Sequence, residues 1–238
     1  MEKHAKSVAL VTGANKGLGL EIARQLGQKG ITVVLGARQG KAEAPAATLR
    51  AEGLDARAVE LDVTNVADVT ALPTFFEKNF GRLDILVNNA GVQLDKGFDV
   101  SPDSLRQTYE ANVIGPYAIT QALLPLLRQA PAGRIVNQSS ILGSLTTISE
   151  GQGGSWATPG YTSSKAALNM LTVVLAQHLV DTNIKVNAAH PGWVKTDLGG
   201  EGAPLGVREG ARTAVRLALL PADGPTGGYF HEEESLPW

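Results

Sequence analysis

The sequence predicts an α/β protein built on a doubly wound parallel sheet with helices on both faces, and three observations point there. Short β-branched apolar runs alternate with longer amphipathic stretches, the pattern of repeated strand–helix units. Glycine supplies 27 of the 238 residues, well above the usual ~7%. Charged residues make up only 18%, below the usual ~25%, a skew expected where tight turns admit a ligand and strands are buried on both faces. At 43% hydrophobic residues the chain can fill one substantial core. No stretch between elements is long or biased enough to divide it, so residues 1–238 read as a single domain.

The elements follow in order. The apolar run at 7–11 is the first strand, and the amphipathic stretch 17–29 behind a glycine-rich turn is the first helix. Strands are expected again at 31–35, 56–61, 85–87, 134–138 and 185–189, each a short run rich in Val, Ile, Leu and Ala, with a last one near 228–230. Helical periodicity occupies 66–80, 102–129, 161–180 and 208–219. Two segments break the alternation and read as loops: 141–160, rich in Gly, Ser and Thr, and 198–207, with four glycines and a proline. Both follow strands at the carboxyl edge, where open parallel sheets bind ligands, so the site is expected there.

Charge and composition exclude several classes. Lys and Arg total 21 against 23 Asp and Glu, a net charge of -2, so no basic field exists to hold nucleic acid or an anionic membrane. There is no cysteine, which removes disulfides and thiolate metal sites, and His4, His178, His190 and His231 lack ligand spacing. No uncharged apolar stretch reaches the roughly 18 residues of a spanning helix, and a cytoplasmic protein without metal is the expectation.

The strongest local signal is Thr12-Gly13-Ala14-Asn15-Lys16-Gly17-Leu18-Gly19, placed after a strand and before a helix. Its G-x-x-x-G-x-G spacing is a variant of the Rossmann-type dinucleotide fingerprint: Gly13 makes the tight exit, Gly17 admits a pyrophosphate at the helix N-terminus, and Gly19 permits close packing. Many NAD sites carry an acid at the end of the second strand, but here Arg38 stands there. Arg38 offers a planar fork to a 2′-phosphate and Lys16 a second cation, which argues for NADP(H) over NAD; the bland alternative is two solvated surface charges. Asp62, followed by Val63, reads equally as an acceptor for the adenine amino group or as a helix N-cap.

These residues, together with Asn88-Asn89-Ala90-Gly91, Asn112, Ser139-Ser140, Tyr161-Thr162-Ser163-Ser164-Lys165 and Pro191-Gly192-Trp193-Val194-Lys195-Thr196-Asp197 in that order, resemble the short-chain dehydrogenase/reductase family, in particular its carbonyl-reductase-like members. The resemblance spans almost the whole chain. It implies that Asn89, with Ala90 and Gly91, lines the adenosine ribose and that Val194 and Thr196, after Pro191 and Gly192, approach the nicotinamide carboxamide. It also implies a water relay at Asn112, and it assigns the substrate-orienting role to Ser140 rather than Ser139. In the family the helices beside 141–160 commonly form subunit interfaces, which leaves monomer and homo-oligomer both open. The segment 198–207 resembles a mobile substrate lid.

The Tyr-x-x-x-Lys spacing has its own chemistry. On a helix Tyr161 and Lys165 lie one turn apart on one face, so an ammonium beside the phenol can bring its proton within working range, making Tyr161 a general acid. Ser140 is placed to hydrogen-bond a carbonyl oxygen. The expected function is NADPH-dependent reduction of a ketone or aldehyde. Its rivals are oxidation of a secondary alcohol by the same residues and a non-catalytic NADP(H)-binding sensor. Trp156 and Trp193 are candidate pocket walls or simple loop packing. His190 reads more readily as structural than as a cofactor contact, and His178 as a surface or packing residue. Glu232-Glu233-Glu234 reads as a solvated turn, while Leu236-Pro237-Trp238 either tucks back onto the body or meets another subunit.

Overall fold

The computed structural model describes residues 6–238; the stretch before them, which contains His4, lies outside the described residues. Eight strands form one sheet in the order β3-β2-β1-β4-β5-β6-β7-β8. They are β1 (Val8–Thr12), β2 (Thr32–Ala37), β3 (Ala56–Glu60), β4 (Ile85–Asn88), β5 (Arg134–Gln138), β6 (Lys185–Ala189), β7 (Tyr229–His231) and β8 (Glu234–Ser235). All neighbours are parallel except the final β7–β8 pair. The chain leaves β1 toward β2 and β3 and returns to β4 on the other side, so the order reverses between β1 and β4.

Because successive strand side chains point to opposite faces, β1 feeds two cores. Ala9 and Val11 join a cluster with Ile22, Leu26, Leu49 and Val215, carried by α1 (Gly17–Gln28), α2 (Glu43–Ala51) and α9 (Arg212–Ala218). Val8 and Leu10 face Leu72, Phe76, Ile119 and Leu123 on α3 (Val66–Phe80) and α5 (Gly115–Leu127). Each such side chain, fully buried, contributes about 1.5–3 kcal/mol relative to exposure.

The remaining helices are α4 (Pro102–Tyr109), α6 (Leu145–Ser149), α7 (Pro159–His178) and α8 (Val207–Gly210). Several expectations need correction. The single helix expected over 102–129 is α4 and α5 separated by a π turn, Glu110–Ile114, in which Gly115 donates to Glu110. A Cβ on Gly115 would sit 2.6 Å from the Val63 carbonyl, so the widened turn lets α5 approach β3's exit. The expected loop 141–160 contains a 3-10 turn, Ile141–Gly143, then α6 capped by Ser144, then a second 3-10 turn, Gly154–Trp156. The expected helix 208–219 is two pieces, α8 and α9. Two elements had no counterpart in the sequence reading: α2, whose buried face is only Ala46 and Leu49, and β8, two residues long. Asp62 is not a helix cap; Asn65 caps α3 by accepting from Ala67 and Asp68, while Asp62 accepts from Thr64.

The β1–α1 turn is tightly packed. Gly13 and Gly17 have φ of +65° and +56°, values that side chains resist. At Gly19 an added Cβ would lie 2.4 Å from Asn89 Nδ2 and 2.6 Å from the Gly13 carbonyl oxygen. Inside a helix Ala normally gains about 1 kcal/mol over Gly, but here rigid main chain is in the way. Gly19→Ala is therefore expected to destabilise the fold by about 1–3 kcal/mol net, read as a lower urea midpoint with an unchanged slope.

Candidate active site

At the carboxyl edge of the sheet the strand-to-helix turns enclose one cavity of about 1140 Å³, running from Arg38, Asp62 and Val63 past the glycine turn to Ser140, Tyr161 and Lys165 and out to Trp156, Trp193 and Leu198. Gly13, Asn15, Lys16, Gly17, Leu18, Gly19, Asn89, Ala90, Gly91, Pro191, Gly192, Val194 and Thr196 also line it. Of the residues singled out from sequence, Asn112 stands behind the wall, fully buried.

The narrow middle of the cavity is set by main-chain bracing. Thr12 Oγ1 accepts from the amides of Asn89 and Ala90, each at 3.0 Å. Asn89 Nδ2 donates back to the Thr12 carbonyl at 2.9 Å. Sequence reasoning gave Thr12 no role, because its value lies in a pairing across the sheet. The α1 N-terminus beside this brace has Lys16 as its N-cap with no side-chain cap. Its first-turn amides and the positive end of its dipole are thus left to whatever enters the cavity.

The two cations expected to act together have different surroundings. Arg38 follows β2 with no ion pair among the described residues. Asp62 is held below the usual carboxylate range mainly by the Thr64 amide, with the Arg38 charge adding to it. Lys16, by contrast, is joined in an exposed ion pair to Asp197, on the far wall of the cavity. The sequence reading sets Lys16 beside Arg38 as a second cation for a 2′-phosphate; in the structure its ammonium is paired with Asp197, an exposed contact worth at most about 1 kcal/mol.

At the other end Tyr161 and Lys165 sit in the first half of α7, both buried. Lys165 Nζ donates to the Gln138 carbonyl at 2.8 Å and lies 5.6 Å from the centre of the Tyr161 ring. Burial pushes the Tyr161 phenol up to about 12, against a smaller opposing pull from the Ser140 hydroxyl, and burial lowers Lys165 to about 8. The sequence argument expected the lysine together with a positive nicotinamide ring to lower the phenol; in the protein alone, with the ammonium turned to Gln138, desolvation dominates. The Tyr161 phenol accordingly stays protonated at neutral pH.

The two serines divide clearly. Ser139 is buried and donates to Asn169 Oδ1 at 2.6 Å, whereas Ser140 is half-buried on the cavity wall and accepts only from the Leu142 amide at 3.3 Å. Asn112 lies in the π turn, a deformation frequent at functional sites. It exchanges two hydrogen bonds with the Val92 main chain and donates to Ser164 Oγ. His190 Nδ1 accepts from the Ile141 amide at 3.2 Å. Burial, with the neighbouring His231, lowers it to about 4, so it is a neutral structural ring.

Trp156 and Trp193 meet edge to face at 5.7 Å, and Trp193 Nε1 donates to the Gly199 carbonyl at 2.8 Å. Leu142 and Leu198 add apolar surface beside them. Trp238 tucks back, stacking on Tyr229 at 5.4 Å, and its main-chain oxygen accepts from the Thr146 amide and hydroxyl. Among the described residues no group of three or more His, Cys, Asp or Glu is placed to hold a metal, and no helix is long and apolar enough to cross a membrane.

A sequence model described as short chain dehydrogenase matches residues 7–203. Carbonyl reductase [NADPH] 1 of Mus musculus is 35% identical, with 98% of this chain and 99% of that protein covered. The (-)-isopiperitenone reductase of Mentha piperita is 34% identical over 96% of this chain and 97% of its own length. Among solved structures, NADPH-bound carbonyl reductase from chicken fatty liver superposes with a TM-score of 0.85 at 30% identity, covering 98% of this chain and 99% of that one. With a family match of that extent on a sheet of this order and a cavity of this composition, the chain belongs to the short chain dehydrogenase family and is an oxidoreductase.

Proposed function

We propose that this enzyme reduces a ketone or aldehyde carbonyl to an alcohol with NADPH. The observation that carries the reading is that the Ser140–Tyr161–Lys165 group opens into the same cavity as the glycine turn and Arg38. The cavity suits an extended dinucleotide. Its middle is a glycine-lined, uncapped helix N-terminus fit for a pyrophosphate, and its outer end carries an unpaired guanidinium where a 2′-phosphate would sit. Residues Gly13–Gly19, Asn89–Gly91 and Val194–Thr196 are the ones that would hold it, with Asp62 and Val63 at the adenine end. The relatives named for NADPH support that choice of nucleotide.

When bound, NADPH supplies a hydride to the carbonyl carbon. Ser140 donates a hydrogen bond to the carbonyl oxygen and fixes its direction. Tyr161 delivers the proton to that oxygen as negative charge develops on it. Lys165, charged below about pH 8, offers donors to the ribose hydroxyls and a positive charge behind the phenol. Asn112 stands within the network behind Lys165, since a Cβ on Gly91 would lie 3.2 Å from Asn112 Oδ1 and 3.4 Å from Lys165 Nζ, which brings both groups to the same side of Gly91. A water shared there would carry the replacement proton. Trp156, Trp193, Leu142 and Leu198 favour a bulky apolar substrate.

The relatives named as reductases, and those named with NADPH, favour reduction over alcohol oxidation. A sensor would have no use for a buried lysine and a buried tyrosine lining the same cavity as Ser140, and their desolvation would be maintained without benefit.

Tyr161→Phe is expected to lower carbonyl-dependent NADPH consumption by at least about 100-fold while leaving NADPH affinity, read by fluorescence titration, unchanged. Retained turnover would sink the acid assignment. Arg38→Ala is expected to weaken NADPH by about 10-fold or more and NADH little, as loss of a charge-assisted pair to phosphate implies. Equal effects on both would return Arg38 to the solvated surface. For the pH dependence, Lys165 loses its proton as pH rises through about 8, whereas Tyr161 stays protonated up to about 12. The free-protein parameter, kcat/KM for NADPH, is therefore expected to fall on the alkaline side with its break near pH 8.

A further inference from the structure

We propose that Asp95 is a positioning residue for Tyr161, acting as the N-cap of α7 from 65 residues upstream of Gly160. The inference rests on the reading of Tyr161 as the acid. A helix begins with main-chain N–H groups that have no partner inside it, and in α7 their accounting is complete. Thr158, in the cap position, makes no side-chain cap, and Pro159 has no N–H to satisfy. Gly160 donates to Asp95 Oδ2 at 2.5 Å, and Tyr161 donates to both Asp95 oxygens at 3.3 Å. Thr162 donates to the Thr158 carbonyl. Every free donor of the first turn that needs an outside acceptor goes to this one carboxylate.

Asp95 is 4% exposed, and among the described residues no Lys, Arg or His pairs with it. What compensates its charge is the pair of amides and the positive end of α7. Space is as restricted as charge: a Cβ on Gly160 would lie 3.0 Å from Asp95 Oδ2, so glycine there lets the carboxylate reach the main chain.

The same loop is fastened at two further points. Gln93 Nε2 donates to Thr158 Oγ1 at 3.3 Å, and Val92 exchanges main-chain hydrogen bonds with the Asn112 side chain, both at 2.8 Å. Asn112 in turn donates to Ser164 Oγ, which donates to the Tyr161 carbonyl at 2.7 Å. The Tyr161 main chain is thus gripped at its N–H by Asp95 and at its C=O by Ser164, and both grips run back to residues 92–95 and the π turn. With the backbone fixed at both ends, the phenol's place beside Ser140 is set by rotamer alone.

The test uses Asp95→Ala and Asp95→Asn in the full chain, with NADPH and para-nitrobenzaldehyde as the carbonyl probe. A displaced reacting group costs up to about 100-fold in rate, so Asp95→Ala is expected to lower kcat about 10- to 100-fold. KM for NADPH should stay within about twofold, the split that marks a transition-state effect. Asp95→Asn, which keeps one oxygen acceptor, should recover most of kcat. Hydrogen exchange read by mass spectrometry should show Gly160 and Tyr161 amides exchanging faster in Asp95→Ala, with the rest of the sheet unchanged. Wild-type kcat in Asp95→Ala overturns the proposal, and so does a joint loss of kcat, NADPH affinity and sheet-wide protection, which marks a purely structural residue. If the wild type consumes no NADPH with the probe, the failure belongs to the carbonyl-reducing reading. The exchange measurement then decides alone: a local loss of protection at Gly160 and Tyr161 supports the clamp, and unchanged protection overturns it.

Discussion

Two strands diverge at the centre of the sheet, and the hydrogen bonds that hold them there govern the rest of the molecule. Thr12 at the end of β1 shares three short hydrogen bonds with Asn89 and Ala90 just past β4, across the point where the strand order reverses. A parallel sheet opens at such a point because the helices on its two sides run apart. Without the brace, the turn after β1 would have no fixed partner for its carbonyls. With it, the positive-φ glycines, the uncapped start of α1 and the floor of the cavity take one arrangement. Just behind, Asn88 Nδ2 reaches Asn137 and Thr120, and Asn137 reaches Thr172, so β4 and β5 are tied to α5 and α7 by amide and hydroxyl groups buried beneath the site.

The reactive end depends on a different constraint, desolvation. Tyr161 and Lys165 are buried side by side, and burial disfavours the charged form of each: it keeps the phenol neutral and makes the ammonium readier to lose its proton. Lys165 meets this by donating to a main-chain carbonyl, not by approaching the phenol. In the protein alone both groups therefore rest in the state that burial favours, and a positively charged occupant beside the phenol would pull it back down.

Much of this was legible in the sequence because it is local. A glycine turn between strand and helix, a tyrosine and lysine one turn apart, and a serine at a strand end are fixed by spacing, and the structure brings them to one edge of one sheet. Element type was legible where periodicity ran long, as in α1, α3 and α7. It was not legible where the stabilising contacts are few or distant. α2 buries two side chains, α6 is five residues held by the Ser144 cap, and the π turn looks like continuous helix in a sequence where the neighbour of Gly115, Val63, lies some fifty residues away. Asp95 sits in a loop that carries no motif, and its meaning comes only from the helix end it meets. Lys16 was read by its position on the turn, and its partner Asp197 lies 181 residues later in the sequence.

The Lys16–Asp197 pair has an electrostatic meaning. It is an exposed strap linking the turn after β1 to the segment after β6, both of which line the cavity, so an anion that draws on Lys16 competes with Asp197 for it. Dissolved salt then works in two directions: it screens the attraction that draws the anion toward Arg38, and it loosens the strap. The two effects oppose each other, so an anion's dependence on ionic strength at this end of the cavity is shallower than a count of its cations implies.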